Sequence, residues 1–326
     1  MDMGWFVLGK LRRLVLVLFA ISVLSFLLFS LLPGDPAIAI LANRGGVSGI
    51  SAEALDSLRD RLAMDLPIQD RYLRWLGQVA AGDLGRSYDT GQPVTEMIVR
   101  RLPATLEIGL LAITISVAVA IPLGVLMAYR AGSRVDSSLS GLMFGLLSVP
   151  EYVMAVLLLS AFVIALRIFP ASGWVPITDD PIENMRHAIL PSLALAIPLV
   201  AIYSRLLRSD MITTLQQDFV VAARAKGLST TRILFSHALR PSLGTLTTAV
   251  AIQLGTIIGG AALVETVFAI PGLGSLMVGA AQGRDLFLVQ ALVLLFGAAF
   301  VLASVAADIL YAIVDPRIQV SGRRHG

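Results

Sequence analysis

Few side chains in this sequence have the types and spacing that direct chemistry needs. The three histidines, His187, His237 and His325, lie in unrelated stretches and there is no cysteine, so neither a metal site nor a nucleophile paired with a base is indicated. The only two lysines are Lys10 and Lys226, and neither follows the glycine spacing of a phosphate-binding loop. The sequence therefore predicts no catalytic residue, no metal and no cofactor held by this chain, and it argues against an enzyme.

Polar and helix-breaking residues inside apolar stretches form a second group of candidates. An acid at membrane depth often marks a substrate or ion pathway, which applies to Glu151, although pairing within a bundle or a place near the membrane surface would also explain it. Glu107 and Asp308 lie near predicted helix ends. Their carboxylates are expected to pair with other side chains or to extend to the membrane surface. The candidates for a pathway or for gating are Pro150, Glu151, Gln253, Glu265, Pro271 and Gly272.

The basic stretch 205–241 carries the most informative pattern. Its alanines favour a helix, and Gly227 favours the C-terminal cap of that helix. Small side chains let another protein approach the backbone, and Phe219 offers an apolar anchor for a groove; a basic helix lying on anionic lipid is the alternative. The candidate contact residues are Asp218, Phe219, Ala222, Ala223, Arg224, Ala225, Lys226, Gly227 and Leu228.

The composition places these candidates in a membrane protein. Of the 326 residues, 56% are hydrophobic and 14% are charged, whereas a soluble domain carries about 25% charged residues. An ordinary soluble enzyme and a disordered chain are both excluded, because the first would lack polar surface and the second could not stay solvated.

Six apolar segments approach the length of about 20 residues that a bilayer-spanning helix needs. The third is interrupted by Pro150 and Glu151, and the fourth is short and contains Pro191 and Pro198. A cleaved signal peptide is the alternative for the first, but its apolar run exceeds the usual length of about 7–15 residues. The six predicted transmembrane helices are 14–32, 105–129, 139–166, 188–203, 243–264 and 286–307.

Basic residues predict the orientation of these spans. If the N-terminus is cytoplasmic, the inner segments hold 14 Lys or Arg and the short outer loops hold 3. Cytoplasmic loops are enriched in Lys and Arg, so both termini are predicted to be cytoplasmic, although Arg100 and Arg101 before the second span argue weakly against this.

Two outer regions look folded. Residues 33–102 are predicted to contain one helix capped by Ser51 and a second that Pro67 opens and Gly82 ends; this segment caps the bundle, docks an external partner, or does both. Residues 265–281 are too apolar for a free loop and too short to span, which predicts a re-entrant turn lining a cavity. A loop lying on the membrane surface is the alternative there.

The order of several motifs resembles a known family. Ala-Ala-Arg-Ala-Lys-Gly-Leu and His-Ala-Leu-Arg-Pro-Ser-Leu, within 222–243, resemble the EAA loop of ABC importer permeases of the dipeptide/oligopeptide/nickel class. Further matches are LLPGDP (31–36), GDLGRS (82–87), RLPATLEIGLLA (101–112), VETVFAIPGLG (264–274) and DPRIQ (315–319). The departures are small: Val221 stands where many permease families have Glu, Pro241 replaces an Asn, and Glu151 replaces an apolar residue.

The resemblance implies an all-α membrane protein of the type I ABC importer (MetI-like) fold, with a helical extracytoplasmic segment between helices 1 and 2. It implies three regions: 1–102, the first helix with the extracytoplasmic segment; 103–316, the permease core with a coupling loop at about 205–241; and 317–326, a cytoplasmic tail. It also places the chain in the cytoplasmic (inner) membrane of a prokaryote as a multi-pass protein.

The same resemblance implies a permease subunit that forms half of a pathway for di- or oligopeptides. Its implied partners are a second homologous permease, one or two ABC ATPase subunits that bind ATP and Mg, an extracytoplasmic binding protein and the lipid bilayer, but no nucleic acid. Closure of the ATPases is expected to draw two coupling helices together and open the cavity outward. Alternatives are a nickel-chelate or glutathione importer permease of this family and, in another class, a self-sufficient secondary transporter or channel.

Overall fold

The protein, described here from a computed structural model, is built of helices joined mainly by short turns. The structure describes residues 3–30, 37–38, 51–61 and 65–314. Within these ranges no strand forms, and one antiparallel bridge joins Arg86 to Pro93. The predicted all-α architecture is therefore confirmed for the described part of the chain.

The helices follow one another in the order that the apolar segments predict. They are α1 (Met3–Ser30), α2 (Ala52–Arg61), α3 (Ile68–Ala80), α4 (Val94–Tyr129), α5 (Arg134–Leu147), α6 (Glu151–Leu158), α7 (Pro181–Leu215), α8 (Asp218–Ala225), α9 (Thr230–Arg232), α10 (Leu239–Gly260), α11 (Ala262–Val267), α12 (Leu273–Gln282) and α13 (Leu286–Val314). Two π-helical segments, Leu159–Ala165 and Ile233–Ala238, follow α6 and α9.

The centre of the bundle is the pair of long helices α4 and α7. Small residues allow the close approach: a Cβ atom on Gly124 would lie only 3.0 Å from the Leu207 Cβ and from the Ser204 carbonyl oxygen. Closer to the N-terminal ends of both helices, the buried Ser192 hydroxyl donates to the Ile108 carbonyl at 3.1 Å. This packing fixes the two helices against each other over much of their length.

The predicted number of spans is matched in part. By length and composition, the helices in the described ranges that could cross a membrane are α4, α7 and the Leu286–Ala307 part of α13, with α5 and α6 as a fourth if the bent pair is one span. The first and fifth predicted spans fall on α1 and α10. Helices thus occur at all six predicted places, while six crossings stay a prediction.

The bounds predicted for the fourth span, 188–203, are too short, because the apolar helix found there is longer. Helix α7 has 35 residues and runs through Pro191 and Pro198 without a break. The apolar window missed its polar ends, and proline inside a membrane helix is tolerated where neighbouring groups satisfy the backbone. The basic loop is correspondingly shorter than the predicted 205–241, because residues 205–215 belong to α7.

The third predicted span is sharply bent. Helices α5 and α6 meet at an angle of 98°, and Pro150 occupies the position before the first residue of α6. Proline cannot donate a backbone hydrogen bond and disfavours helix at the preceding residue. The interruption predicted at Pro150 and Glu151 is therefore a change of direction.

The two helices predicted in the outer segment are present as α2 and α3. Trp75 is buried on α3, and its neighbour Tyr72 shares a 2.8 Å hydrogen bond with Ser22 of α1. Gly82 has a φ of +83° just after α3, as its predicted role as a helix stop requires. Segments 31–36 and 315–326 lie outside the described residues, as do two of the family motifs and the predicted tail.

We name the two ends of the bundle by the orientation predicted from the charges. The inner end carries α8 and the 130–133 turn, and the outer end carries the 82–93 turn and α12. Helix α4 begins at the outer end and runs unbroken across the boundary predicted between residues 102 and 103. Residues 94–102 are thus continuous with the core.

Candidate functional site

The short helix α8 stands at the inner end between α7 and α10. Its buried residues Val220 and Ala223 pack with Ile233, and Leu215 and Leu228 cover the same cluster. The apolar side of α8 is therefore held against the protein, which leaves its opposite side free for other contacts.

A Schellman motif ends α8 at Gly227. The Gly227 amide donates to the Arg224 carbonyl at 2.9 Å, and the Leu228 amide donates to the Ala223 carbonyl at 3.3 Å. Gly227 has a φ of +76°, and a Cβ atom added there would meet no atom within 4 Å. Glycine is favoured here by the left-handed backbone and not by crowding, and the predicted cap is confirmed.

The side of α8 that faces away from the protein is the predicted contact surface. Phe219 is 48% exposed although it is a large apolar side chain. The structure separates the nine predicted contact residues into an exposed group and two that point elsewhere: Ala223 is buried and Leu228 is half-buried. The exposed group is Asp218, Phe219, Ala222, Arg224, Ala225, Lys226 and Gly227.

An ion pair, which the sequence did not reveal, ties α5 to α7 near α8. The Arg208 guanidinium donates two hydrogen bonds of 2.6 Å to the two carboxylate oxygens of Asp136. Asp136 is almost fully buried and also accepts from the Gly132 amide at 2.9 Å. One turn earlier on α7, the Arg205 guanidinium lies 4.1 Å from the centre of the Phe144 ring of α5. The inner halves of α5 and α7 are thus joined by two cationic contacts.

The ends of α7 and α10 are also linked. The Ser242 hydroxyl donates to the Ala238 carbonyl at 2.8 Å and accepts from the Thr214 hydroxyl at 2.9 Å, because a hydroxyl has only one proton to donate. Since α8 lies between these two helix ends in the chain, a force on α8 has direct routes into α7 and α10.

At the outer end, Glu265 fastens α12 to α4. The fully buried carboxylate accepts from the Thr105 hydroxyl at 2.6 Å and from the Ser275 amide at 2.8 Å. Thr105 in turn accepts from the Leu273 amide at 2.7 Å. A carboxylate at a helix N-terminus satisfies free amides and meets the positive end of the helix dipole.

Gly272 is required by this arrangement. A Cβ atom on Gly272 would lie 2.3 Å from the Glu265 carboxylate carbon, so any side chain there would displace the carboxylate. The Gly272 amide donates to the Ser275 hydroxyl at 3.1 Å. We call the set Thr105, Glu265, Gly272, Leu273 and Ser275 the outer latch.

The outer latch changes the interpretation of the predicted re-entrant segment. Residues 265–281 form α11, a turn and α12, with Ile270 and Leu273 buried. A loop lying freely on the membrane surface is not what the structure shows. Glu265 uses both carboxylate oxygens inside the chain, while Pro271 is exposed and lines a cavity with α4.

The remaining pathway candidates do not come together into one site. Glu151 is half-buried and starts α6 after the bend, next to the exposed Pro150. Gln253 is half-buried in the middle of α10. Their roles in a pathway or in gating stay predictions.

A second contact at the outer end holds the GDLGRS motif against the start of α13. The Ser87 hydroxyl donates to the Asp285 carboxylate, and both side chains are buried. Asp285 also accepts from the Leu288 amide at the start of α13, and the Tyr88 and Phe287 rings pack at 4.7 Å between centres. The motif therefore holds the outer segment on α13. Among the described residues, no group of three His, Asp or Glu side chains is arranged to hold a metal ion.

Comparisons with known proteins agree with this arrangement. The family model for the binding-protein-dependent transport system inner membrane component matches residues 120–320, and the model for its N-terminal part matches residues 3–109. A putative peptide transport system permease protein of Brucella abortus is 38% identical over 96% of this chain and 98% of its own length. The dipeptide transport system permease protein DppB of Escherichia coli is 34% identical, again over 96% of this chain and 98% of its own length.

A solved structure shows the same fold. The inward-facing MetNI methionine ABC transporter matches 67% of this chain and 96% of that chain, with a TM-score of 0.55 and 19% identity. This likeness confirms the predicted MetI-like core. Together, the two family models and the relatives, which share this chain nearly from end to end, show that the protein belongs to the family of binding-protein-dependent transport system inner membrane components.

Proposed function

We propose that this chain is the permease subunit of an ATP-driven importer and forms half of a translocation pathway for di- or oligopeptides. The observation that carries the proposal is α8: a helix at the inner end whose buried side packs on the protein while its small and charged residues are exposed. The membership of the family supplies the context in which such a surface meets an ATPase.

The peptide substrate is supported by the relatives. Two of those most similar to this chain are described as peptide and dipeptide transport system permeases, and each aligns over nearly its whole length. The proposed partners are a second homologous permease, one or two ATPase subunits and an extracytoplasmic binding protein. ATP and Mg are bound by the ATPases in this proposal, because this sequence contains no phosphate-binding loop.

The contacts at the inner end provide a mechanical route. Movement of α8 would act on α10 through Ile233 and on the end of α7 through Leu215. The Asp136–Arg208 pair would carry the movement of α7 into α5. Coupling is therefore proposed to run from α8 through packed side chains into three helices of the bundle.

The natural absence of cysteine allows a direct test of the α8 surface. A single cysteine introduced as Ala222→Cys on the exposed side of α8 would be crosslinked to the partner ATPase in the assembled complex by a short bifunctional reagent. Ala131→Cys, exposed in the nearby 130–133 turn, is the matched control and should crosslink much less. Equal crosslinking at both positions, or none at 222, would count against α8 as the docking helix.

A steric substitution extends this test to function. Ala222→Trp should lower both ATPase association and substrate-stimulated ATP hydrolysis, because a bulky side chain separates two closely packed surfaces. Ala81→Trp, on the exposed outer segment, should leave ATPase association unchanged. Normal association of the Ala222→Trp protein would contradict the assignment.

A further inference from the structure

A cavity of about 600 Å³ opens at the outer end of the bundle. One wall is the first part of α4, the opposite wall is the 174–178 segment before α7, and Pro271 of the turn before α12 closes one side. Pockets of roughly 300–1,000 Å³ are the usual size for small ligands. The cavity lies next to the outer latch, at the end of the bundle that is extracytoplasmic in the predicted orientation.

Charges of opposite sign line the cavity at two depths. Arg100 and Arg101 lie near its mouth and Glu107 lies about two helical turns further along α4. Arg100, Ala104 and Glu107 follow the spacing of residues on one helix face, and all three line the cavity. Arg100 is exposed, whereas Glu107 is half-buried. No ion pair joins the two arginines to Glu107 among the described residues.

A buried amide side chain lies behind Glu107 and does not itself line the cavity. The Asn184 side chain is buried and lies beside Glu107. Its Nδ2 atom donates to the Val175 carbonyl at 2.8 Å, while its Oδ1 atom has no hydrogen-bond partner in the described part of the chain. A buried acceptor without a donor destabilises the protein. The Glu107 carboxylate does line the cavity, and a carboxylate accepts hydrogen bonds from an ammonium group, which has three protons to donate.

Trp174 completes the wall opposite α4. It is half-buried in the segment that Asn184 holds through the Val175 carbonyl. An aromatic face attracts a cation and also packs against apolar side chains. The cavity thus combines a carboxylate and an aromatic face, two features that favour a cationic group with an adjoining apolar portion.

From this arrangement we infer that the cavity is a binding subsite for short zwitterionic peptides, with the free carboxylate at Arg100 and Arg101 and the free ammonium at Glu107. The levels of these residues along α4 differ by about 9 to 10 Å, at 1.5 Å per residue. An extended dipeptide spans at most about 7 Å and a tripeptide about 10 to 11 Å. The separation therefore fits peptides of three residues, whose two termini are both free, better than dipeptides.

This inference rests on the proposed function, and the experiment separates the two. The permease–ATPase complex is reconstituted in nanodiscs without the binding protein, and binding of trialanine, N-acetyl-trialanine and trialanine amide is measured by equilibrium dialysis. The wild-type complex should bind trialanine at least about tenfold more tightly than either capped peptide, since each cap removes one charge-assisted contact. ATP-driven trialanine uptake by the same complex with its binding protein is measured in parallel.

Two substitutions assign the termini. Glu107→Gln should abolish the preference for a free N-terminus and retain the preference for a free C-terminus, and Arg100→Gln should do the reverse. The matched controls are Glu96→Gln on the exposed side of α4 and Arg74→Gln on α3, which lie outside the cavity and should preserve both preferences.

Equal binding of all three peptides by the wild-type complex would overturn the subsite, as would unchanged preferences in Glu107→Gln and Arg100→Gln. If a variant does not assemble, the wild-type comparison of capped and free peptides decides alone. If the wild-type transporter takes up no peptide, the proposed function fails. If it takes up trialanine but does not distinguish the capped peptides in nanodiscs, only the subsite fails.

Discussion

The outer latch gives a prediction whose size follows from its contacts. In the Glu265→Gln protein one carboxylate oxygen becomes an amide nitrogen, which cannot accept a hydrogen bond from the Ser275 amide or the Thr105 hydroxyl. A buried donor left unpaired costs about 1–3 kcal/mol, and losing a negative charge at a helix N-terminus adds about 0.3–1 kcal/mol. The N-terminus of α12 should therefore be destabilised by about 1.3–4 kcal/mol.

Hydrogen exchange at α12 measures this destabilisation locally. The Leu273 and Ser275 amides should lose protection by roughly tenfold or more in Glu265→Gln, because about 1.4 kcal/mol corresponds to a factor of ten. The exposed Glu96 at the start of α4 provides the control, and Glu96→Gln should leave the two α12 amides unchanged. Protection within threefold of the wild type in Glu265→Gln would refute the role assigned to the carboxylate.

A double-mutant cycle tests the pairing itself. Thr105→Val removes the hydroxyl that Glu265 and the Leu273 amide share. The effect of Glu265→Gln and Thr105→Val together should be smaller than the sum of the single effects by at least about 1 kcal/mol, since contacting residues are not additive. Additivity within about 0.5 kcal/mol would show that the two side chains act independently.

Three further substitutions probe the contacts that hold the ends of the bundle. Asp136→Asn should lower the free energy of unfolding by about 2–4 kcal/mol, because it leaves the Arg208 guanidinium without its paired charge. In the double variant Asp136→Asn/Arg208→Gln, the loss of unfolding free energy should be smaller than the sum of the two single losses. Gly227→Ala should destabilise the end of α8 by about 1–2 kcal/mol, because alanine is strained in the left-handed backbone at this position. Hydrogen exchange of the neighbouring amides should therefore become faster, and unchanged exchange would refute the role of Gly227 as a cap. Ser87→Ala should loosen the outer segment from Asp285 and speed proteolysis between residues 51 and 92, whereas wild-type rates would show that the contact is dispensable.

The sequence predicts those features that depend on neighbours in the chain. The helix at 218–225 and its glycine cap follow from alanine content and the position of Gly227, and the structure confirms both. The helix α3 follows from Pro67 at its start and Gly82 after its end, whereas the burial of Trp75 on it was not predicted. Local propensity and periodicity are sufficient for such features.

Contacts between distant residues could not be predicted in this way. Asp136 and Arg208 are 72 residues apart, and Thr105 and Glu265 are 160 residues apart. A single sequence has no signal that pairs them. Glu265 was predicted as a pathway or gating residue, and that role stays a prediction; its complete burial and its hydrogen bonds to Thr105 and Ser275 could not be predicted.

The full length of α7 could not be predicted from its apolar segment alone. Its ends are polar because they extend past the apolar middle, and Asp180 caps its first turn by accepting from two backbone amides. That cap was readable in principle, since Asp180 directly precedes Pro181, a favoured pair at a helix start. The short prediction followed from the apolar window, which leaves out the polar ends of the helix.

ATP-driven peptide uptake tests the central claim most directly. The full complex, with partner permease, ATPases and binding protein, is reconstituted in proteoliposomes with ATP on the side of α8, and uptake of labelled trialanine is followed. We expect uptake that requires ATP and falls at least about tenfold when Ala222→Trp disturbs the α8 surface, with Ala81→Trp close to wild type. Uptake by this chain alone under an ion gradient, or ATP-driven uptake unaffected by Ala222→Trp, would contradict the account.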